Sequence, residues 1–124
     1  MRVSFKLKLP PTANHRLIPS KGGRLITSPK MRLWKAEAKD FVASQVFEAS
    51  KRTAIKGDRV AVTIHLTWPD RRKRDIDGPI KPVLDALVAG GAIEDDDLIR
   101  ELAVFVEDEP DKTAEYPVQI ELDY

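Results

Sequence analysis

Cysteine is absent from this 124-residue chain, which removes disulfide frameworks, zinc–thiolate sites and thiol nucleophiles together. Long apolar runs are also missing, and none approaches the roughly 20 residues that a membrane span needs. No signal-like start is visible either: Met1-Arg2-Val3-Ser4-Phe5 alternates polar and apolar residues, as a strand does. These absences suit a reducing compartment, and the expected location is the cytoplasm. Histidine is scarce, with two in the chain. Acid is missing from one end, since residues 1 to 36 hold nine Lys or Arg and no Asp or Glu. From Asp75 onward the balance inverts to fifteen acidic residues against three basic ones. The net charge of +1 hides this asymmetry, which points to nucleic-acid contact at the basic end or to ends that neutralise each other across the fold.

What is present is an ordinary globular composition, 42% hydrophobic and 33% charged, of a length suited to one core. No repeat, linker or low-complexity stretch divides it, so residues 1–124 read as one domain. Val3, Phe5, Leu7 and Leu9 share one face of a half-buried strand, which Pro10-Pro11 ends. A polar loop to about Gly23 follows, then a short strand over Arg24 to Thr27. Ser28 before Pro29 is a hydroxyl N-cap followed by proline at the first helical position. The helix it opens is expected to reach about Ser50 and to bury Leu33, Trp34, Ala38, Phe41, Val42 and Val46. The alternation from Arg59 to Trp68 is the clearest strand, with Val60, Val62, Ile64, Leu66 and Trp68 inward. A second helix spans about 79 to 89 and stops at Gly90-Gly91. Strands near 98–107 and 116–123 complete an α+β fold, a mixed sheet with two main helices in the order β-(β)-α-β-α-β-β.

Chemistry concentrates in one stretch. Arg71-Arg72-Lys73-Arg74 abuts Asp75-Ile76-Asp77-Gly78-Pro79-Ile80-Lys81, and Glu94-Asp95-Asp96-Asp97 comes later. Asp75 and Asp77 are two apart between a strand and a helix, and in extended backbone they point the same way. Lys81 follows Asp77 by four residues and Asp85 follows Lys81 by four, a polar row bordering the apolar stripe Ile80, Val83, Leu84 and Leu87. Carboxylates of this kind suit Mg²⁺, which takes hard oxygen ligands and completes its shell with water and phosphate. Such an ion polarises a phosphoryl group and generates hydroxide, while a neighbouring lysine stabilises developing negative charge. The arginine-rich run would neutralise adjacent phosphates. A plainer reading stands beside this one: Asp77 caps the helix, Asp95 to Asp97 form a solvated turn, and the basic run pairs with the acids.

At these residues the sequence resembles the RusA-like Holliday-junction resolvases, small metal-dependent endonucleases often found in phages and prophages. The family pattern is a basic run, then Asp-x-Asp-Asn-x-x-Lys, then Asp-Ala-Leu, then Asp-Asp. Here it reads Arg71 to Arg74, Asp75 to Lys81, Asp85-Ala86-Leu87 and Asp95-Asp96, with Gly78 in place of the usual Asn. Pro10-Pro11-Thr12-Ala13-Asn14 is similar to a Pro-Pro-x-x-Asn segment of the family. The resemblance implies a magnesium-dependent endodeoxyribonuclease, with Mn²⁺ able to substitute, acting as a homodimer that makes paired cuts in four-way DNA junctions during recombination and repair. It implies Asp75, Asp77 and Asp96 as metal ligands and Lys81 as the essential lysine, with Asp85, Asp95 and Asp97 behind them. Candidate DNA contacts are Arg71, Arg72, Lys73 and Arg74, together with Asn14, Arg16, Lys21 and Arg24 at the basic end. His15, between Asn14 and Arg16, is a further candidate, whereas His65 and Trp34 read as structural. The alternative function is a non-catalytic, antitermination-like phage regulator that binds nucleic acid on the same fold.

Overall fold

A computed structural model describes residues 1–12 and 17–124. Along the chain come β1 (Arg2–Leu7), β2 (Leu17–Pro19), β3 (Leu25–Thr27), α1 (Pro29–Ser50), β4 (Val60–Leu66), α2 (Ile80–Ala89), a single 3₁₀ turn (Asp96–Leu98), β5 (Ile99–Val106) and β6 (Val118–Asp123). The main sheet has the order β1-β6-β4-β5. It is mixed: β4 and β5 run parallel through the α2 crossover, whereas β6 is antiparallel to both β4 and β1. Register puts Phe5 opposite Ile120, with Ile64 on its other side, and Leu7 opposite Val118, with Leu66 beyond, so one face is uniformly apolar. Both helices cover that face, and the shared core holds Phe5, Leu7, Val62, Ile64, Leu66, Val83, Leu87 and Ile120 at 2% exposure or less.

The first helix begins as its sequence dictates, with the Ser28 hydroxyl accepting from the Met31 N–H at 3.1 Å and Pro29 in the first turn. Its buried stripe is Met31, Trp34, Ala38, Val42 and Val46. Leu33, expected inside, is 61% exposed, because about 100° of rotation per residue carries it off the Trp34 stripe. Phe41 is only half-buried and stacks on Tyr116, the ring centroids 5.2 Å apart. The other difference from expectation is β2. The expected polar loop contains a strand, Leu17–Pro19, that pairs antiparallel with β3 as a separate two-stranded hairpin. Its closing turn is held by Ser20 N–H to Arg24 C=O at 2.8 Å, with Gly23 at φ +76°.

Close approach of the two helices depends on Gly90. A Cβ there would meet the Val42 side chain at 2.5 Å and the Lys39 carbonyl at 3.0 Å. Glycine therefore lets the end of α2 lie against α1, and α2 carries Lys81.

Candidate active site

The segment between β4 and α2 is organised by Asp70. Its carboxylate accepts the Arg72 N–H at 2.9 Å and the Arg74 Nη1 at 2.7 Å, and Arg74 Nη1 also reaches the Asp70 and Arg72 carbonyls at 3.3 Å each. Hydrogen bonding from the Arg74 guanidinium, then from the Arg72 amide, holds the Asp70 carboxyl below its ordinary range. The Arg74 guanidinium lies over the Trp68 ring, 5.4 Å from its centroid, and only 19% of that side chain is exposed. Arg71 instead meets Glu109 at 2.8 Å, and the Asp111 N–H bonds the Trp68 carbonyl at 2.9 Å, so the 107–111 loop buttresses this segment. Lys73 is exposed and makes no ion pair among the described residues. Sequence reasoning misses the organising role of Asp70. Pro69-Asp70 signals only a turn, although Asp accepting from an amide two residues on is the usual Asx arrangement.

Asp75 and Asp77 follow, both exposed. Instead of continuing an extended strand, the chain folds into two overlapping turns, with Gly78 N–H to Asp75 C=O at 3.3 Å and Ile80 N–H to Asp77 C=O at 3.1 Å. The alternation expected to point both carboxylates the same way therefore does not apply at Asp77. Nor is Asp77 a cap, since α2 starts after Pro79 with no side-chain cap bond. Pro79 and Pro82 set this late start, because proline brings a fixed φ and no N–H to the first turn.

Of the expected polar row, Lys81 and Asp85 lie together on α2, whereas Asp77 falls in the turn before it. Lys81 Nζ lies 3.0 Å from Asp85 Oδ1 and 3.4 Å from Asp96 Oδ2. The Asp85 carboxylate, and next Asp96, raise the Lys81 pKa above its ordinary 10.5. At the exit of the crossover the three aspartates separate by role. Asp95 caps the 3₁₀ turn, its Oδ1 accepting the Asp97 N–H at 3.2 Å, and that amide leads the causes holding its carboxyl low. Asp96 faces Lys81. The Asp97 carbonyl accepts from Arg100 Nη1 at 2.7 Å.

The structure thus joins Lys81, Asp85 and Asp96 directly and leaves Asp75 and Asp77 on the adjoining turn. Among the described residues, no three carboxylates or imidazoles are gathered into a ready-made metal cage. The donor set nevertheless suits a hard cation, being all carboxylate, exposed and free of sulfur. Mg²⁺ characteristically binds through one or two carboxylates plus substrate phosphates, not through an all-protein cage. Lys21 and Arg24 lie exposed at the turn of the β2–β3 hairpin. Asn14, His15 and Arg16 lie outside the described residues.

Beside Asp75 the surface opens into a cleft of about 410 Å³ between the segment after β1 and the 68–79 segment. Leu9, Pro10, Trp68 and Pro79 form apolar walls, and Lys73, Arg74, Asp75 and Gly78 line it as well.

The chain matches the family model "Endodeoxyribonuclease RusA" over residues 8–121. It belongs to the RusA endodeoxyribonuclease family. A curated relative, "Crossover junction endodeoxyribonuclease RusA" of Aquifex aeolicus (strain VF5), is 36% identical over 99 residues, which cover 77% of this chain and 71% of that protein. The span matched to the RusA family includes Asp75, Asp77, Lys81, Asp85, Asp96 and the cleft beside Asp75. No helix among the described residues is long and apolar enough to cross a membrane.

Proposed function

We propose that this chain cuts four-way DNA junctions by metal-dependent hydrolysis of phosphodiester bonds, working as a homodimer in the cytoplasm. The observation that carries the reading is the meeting of Lys81 with Asp96 across the α2 crossover, next to the Asp75–Asp77 turn, in a member of an endodeoxyribonuclease family. A pair of carboxylates alone would be commonplace. A lysine held between two carboxylates, in a chain whose basic run directly precedes Asp75, suits a place where a polyanion and a cation meet.

Asp75, Asp77 and Asp96 are the ligands we assign to Mg²⁺, with Mn²⁺ a substitute. When bound, the ion supplies charge to the phosphoryl oxygens and lowers the pKa of its water. Lys81 stays protonated through the neutral range and places its ammonium group where charge develops on the scissile phosphate. Asp85 holds Lys81 from the helix side, and Asp95 and Asp97 shape the turn that presents Asp96. Arg71, Arg72, Lys73 and Arg74 contact flanking phosphates, as do Lys21 and Arg24 on the hairpin. A junction has two opposed strands to cut, so two copies of this site are needed. Exposed Leu17, Ile18, Leu25 and Ile26 on the hairpin, and Leu102 and Phe105 on the edge strand β5, supply apolar surface for self-association.

The test is incubation with labelled four-way junction DNA, with and without Mg²⁺, alongside sedimentation to count protomers. Paired nicking that needs the metal and vanishes in Asp77→Asn supports the reading. Tight junction binding with no cutting, with or without Mg²⁺, would favour a non-catalytic binding protein instead.

A further inference from the structure

We infer that the cleft beside Asp75 receives one unstacked nucleotide of the DNA strand, next to the bond that is cut, and thereby sets base preference. This rests on the proposed function, because the strand must already lie across the Asp75–Lys81 site. The cleft has the composition such an occupant requires. Trp68, partly exposed and with Arg74 over its ring, offers apolar surface for a base, the largely buried Pro10 and Pro79 close the wall beside it, and Lys73 and Arg74 offer two cations for its phosphate. Asp75, an acceptor-only carboxylate, stands on the same wall and can receive an exocyclic amino group or help hold an ion.

Arg74 is built into this wall. Its three side-chain hydrogen bonds all use Nη1, which leaves Nη2 and Nε without a bond among the described residues. One edge of the guanidinium fork is therefore anchored to Asp70 while the other can donate to a phosphate, and stacking over Trp68 keeps the plane oriented. Lys73 carries a second charge with no ion pair of its own among the described residues, a compact point charge on a flexible stem. One preorganised cation and one mobile cation beside an aromatic wall suit single-stranded nucleotide capture, in which stacking supplies affinity and charge supplies placement. Gly78 keeps the lining low where the family pattern has Asn. A Cβ there would meet the Asp75 carbonyl oxygen at 3.3 Å, a tight contact that the turn admits only by yielding a few tenths of an ångström.

The experiment uses a four-way junction with 2-aminopurine placed in turn on each side of the cut bond. Binding is followed by fluorescence without divalent metal, and cleavage of a series with each base at that position is followed with Mg²⁺. The expected result is a large fluorescence change at one of the two positions, lost in Trp68→Ala. Junction affinity should also fall by about tenfold in Trp68→Ala, the worth of one stacked base, and discrimination in kcat/KM among the four bases should shrink with it. Since Trp68 packs against the core, Gly78→Leu provides a second variant that fills the cleft and should narrow the same discrimination. No fluorescence change at either position, or base preference untouched in both variants, would overturn the inference. A 2-aminopurine signal that disappears in Trp68→Ala while no junction is ever cut would sink the nuclease reading and leave the nucleotide cleft standing.

Discussion

Lys81 and Asp96 stand fifteen residues apart in the chain, yet the ammonium and the carboxylate lie 3.4 Å from each other. The α2 crossover makes this possible by carrying the chain from the Asp75–Asp77 turn to the Asp95–Asp97 turn. Both partners are exposed, at 70% and 52% of their side-chain surface, so the pair adds little to stability. Its consequence is to hold the Lys81 ammonium group beside Asp96.

Replacing Lys81 by alanine should therefore leave the melting temperature and junction affinity nearly unchanged while cutting falls about 10²- to 10³-fold, the usual loss when one charge-stabilising donor is removed. Calorimetry, anisotropy and single-turnover cleavage on the same preparation decide it. Unchanged turnover would remove Lys81 from the chemistry.

Asp85 makes a pH prediction. Its carboxylate is the leading cause of the raised Lys81 pKa. A raised lysine pKa means the ammonium form persists past 10.5 and is lost only as pH climbs through the folded value. Asp85→Asn removes that support, so the alkaline limb of the cleavage profile should move to lower pH than in the parent. An alkaline limb that does not move, or moves upward, contradicts the assignment.

Asp70→Ala frees both Arg72 and Arg74 from their anchor. Junction binding should weaken several-fold even though the change removes a negative charge, because the guanidinium loses its shortest anchor and keeps only the two longer bonds to backbone carbonyls and the Trp68 stack. Arg74→Lys, which keeps charge but loses the fork, should weaken binding in the same direction. In Arg72→Ala/Arg74→Ala the slope of log K against log salt should fall by roughly one unit for each phosphate that is no longer neutralised. Anisotropy titrations at several salt concentrations read all three.

Gly90→Ala tests the helix packing that sets α2. The added methyl has the Val42 side chain 2.5 Å away and the Lys39 carbonyl 3.0 Å away, so something must shift. Overpacking of this kind costs about 1–3 kcal/mol. Thermal denaturation should show a clear loss of stability, and an unchanged melting temperature would mean the helices separate more easily than their packing suggests.

Local rules in the sequence determined much of this protein. Alternation placed β1 and β4 and their inward residues, a hydroxyl N-cap and proline placed the start of α1, and a glycine pair ended α2. Spacing and the family resemblance likewise raised Asp75, Asp77, Lys81, Asp85 and Asp96 as candidates, of which the structure joins Lys81 to Asp85 and Asp96. These are properties of neighbours in the chain, where spacing and backbone preference suffice. Tertiary structure alone decided that Leu33 faces outward, that a strand at Leu17–Pro19 pairs with β3, and that Asp77 sits in a turn instead of an extended segment. It also decided that Asp95 caps while Asp96 reaches Lys81, and that Asp70 locks Arg74 over Trp68 beside an open cleft. The physical reason is the same throughout. A side chain's direction and partner depend on groups brought near by packing, and three adjacent aspartates are equivalent until a fold gives each a different neighbour.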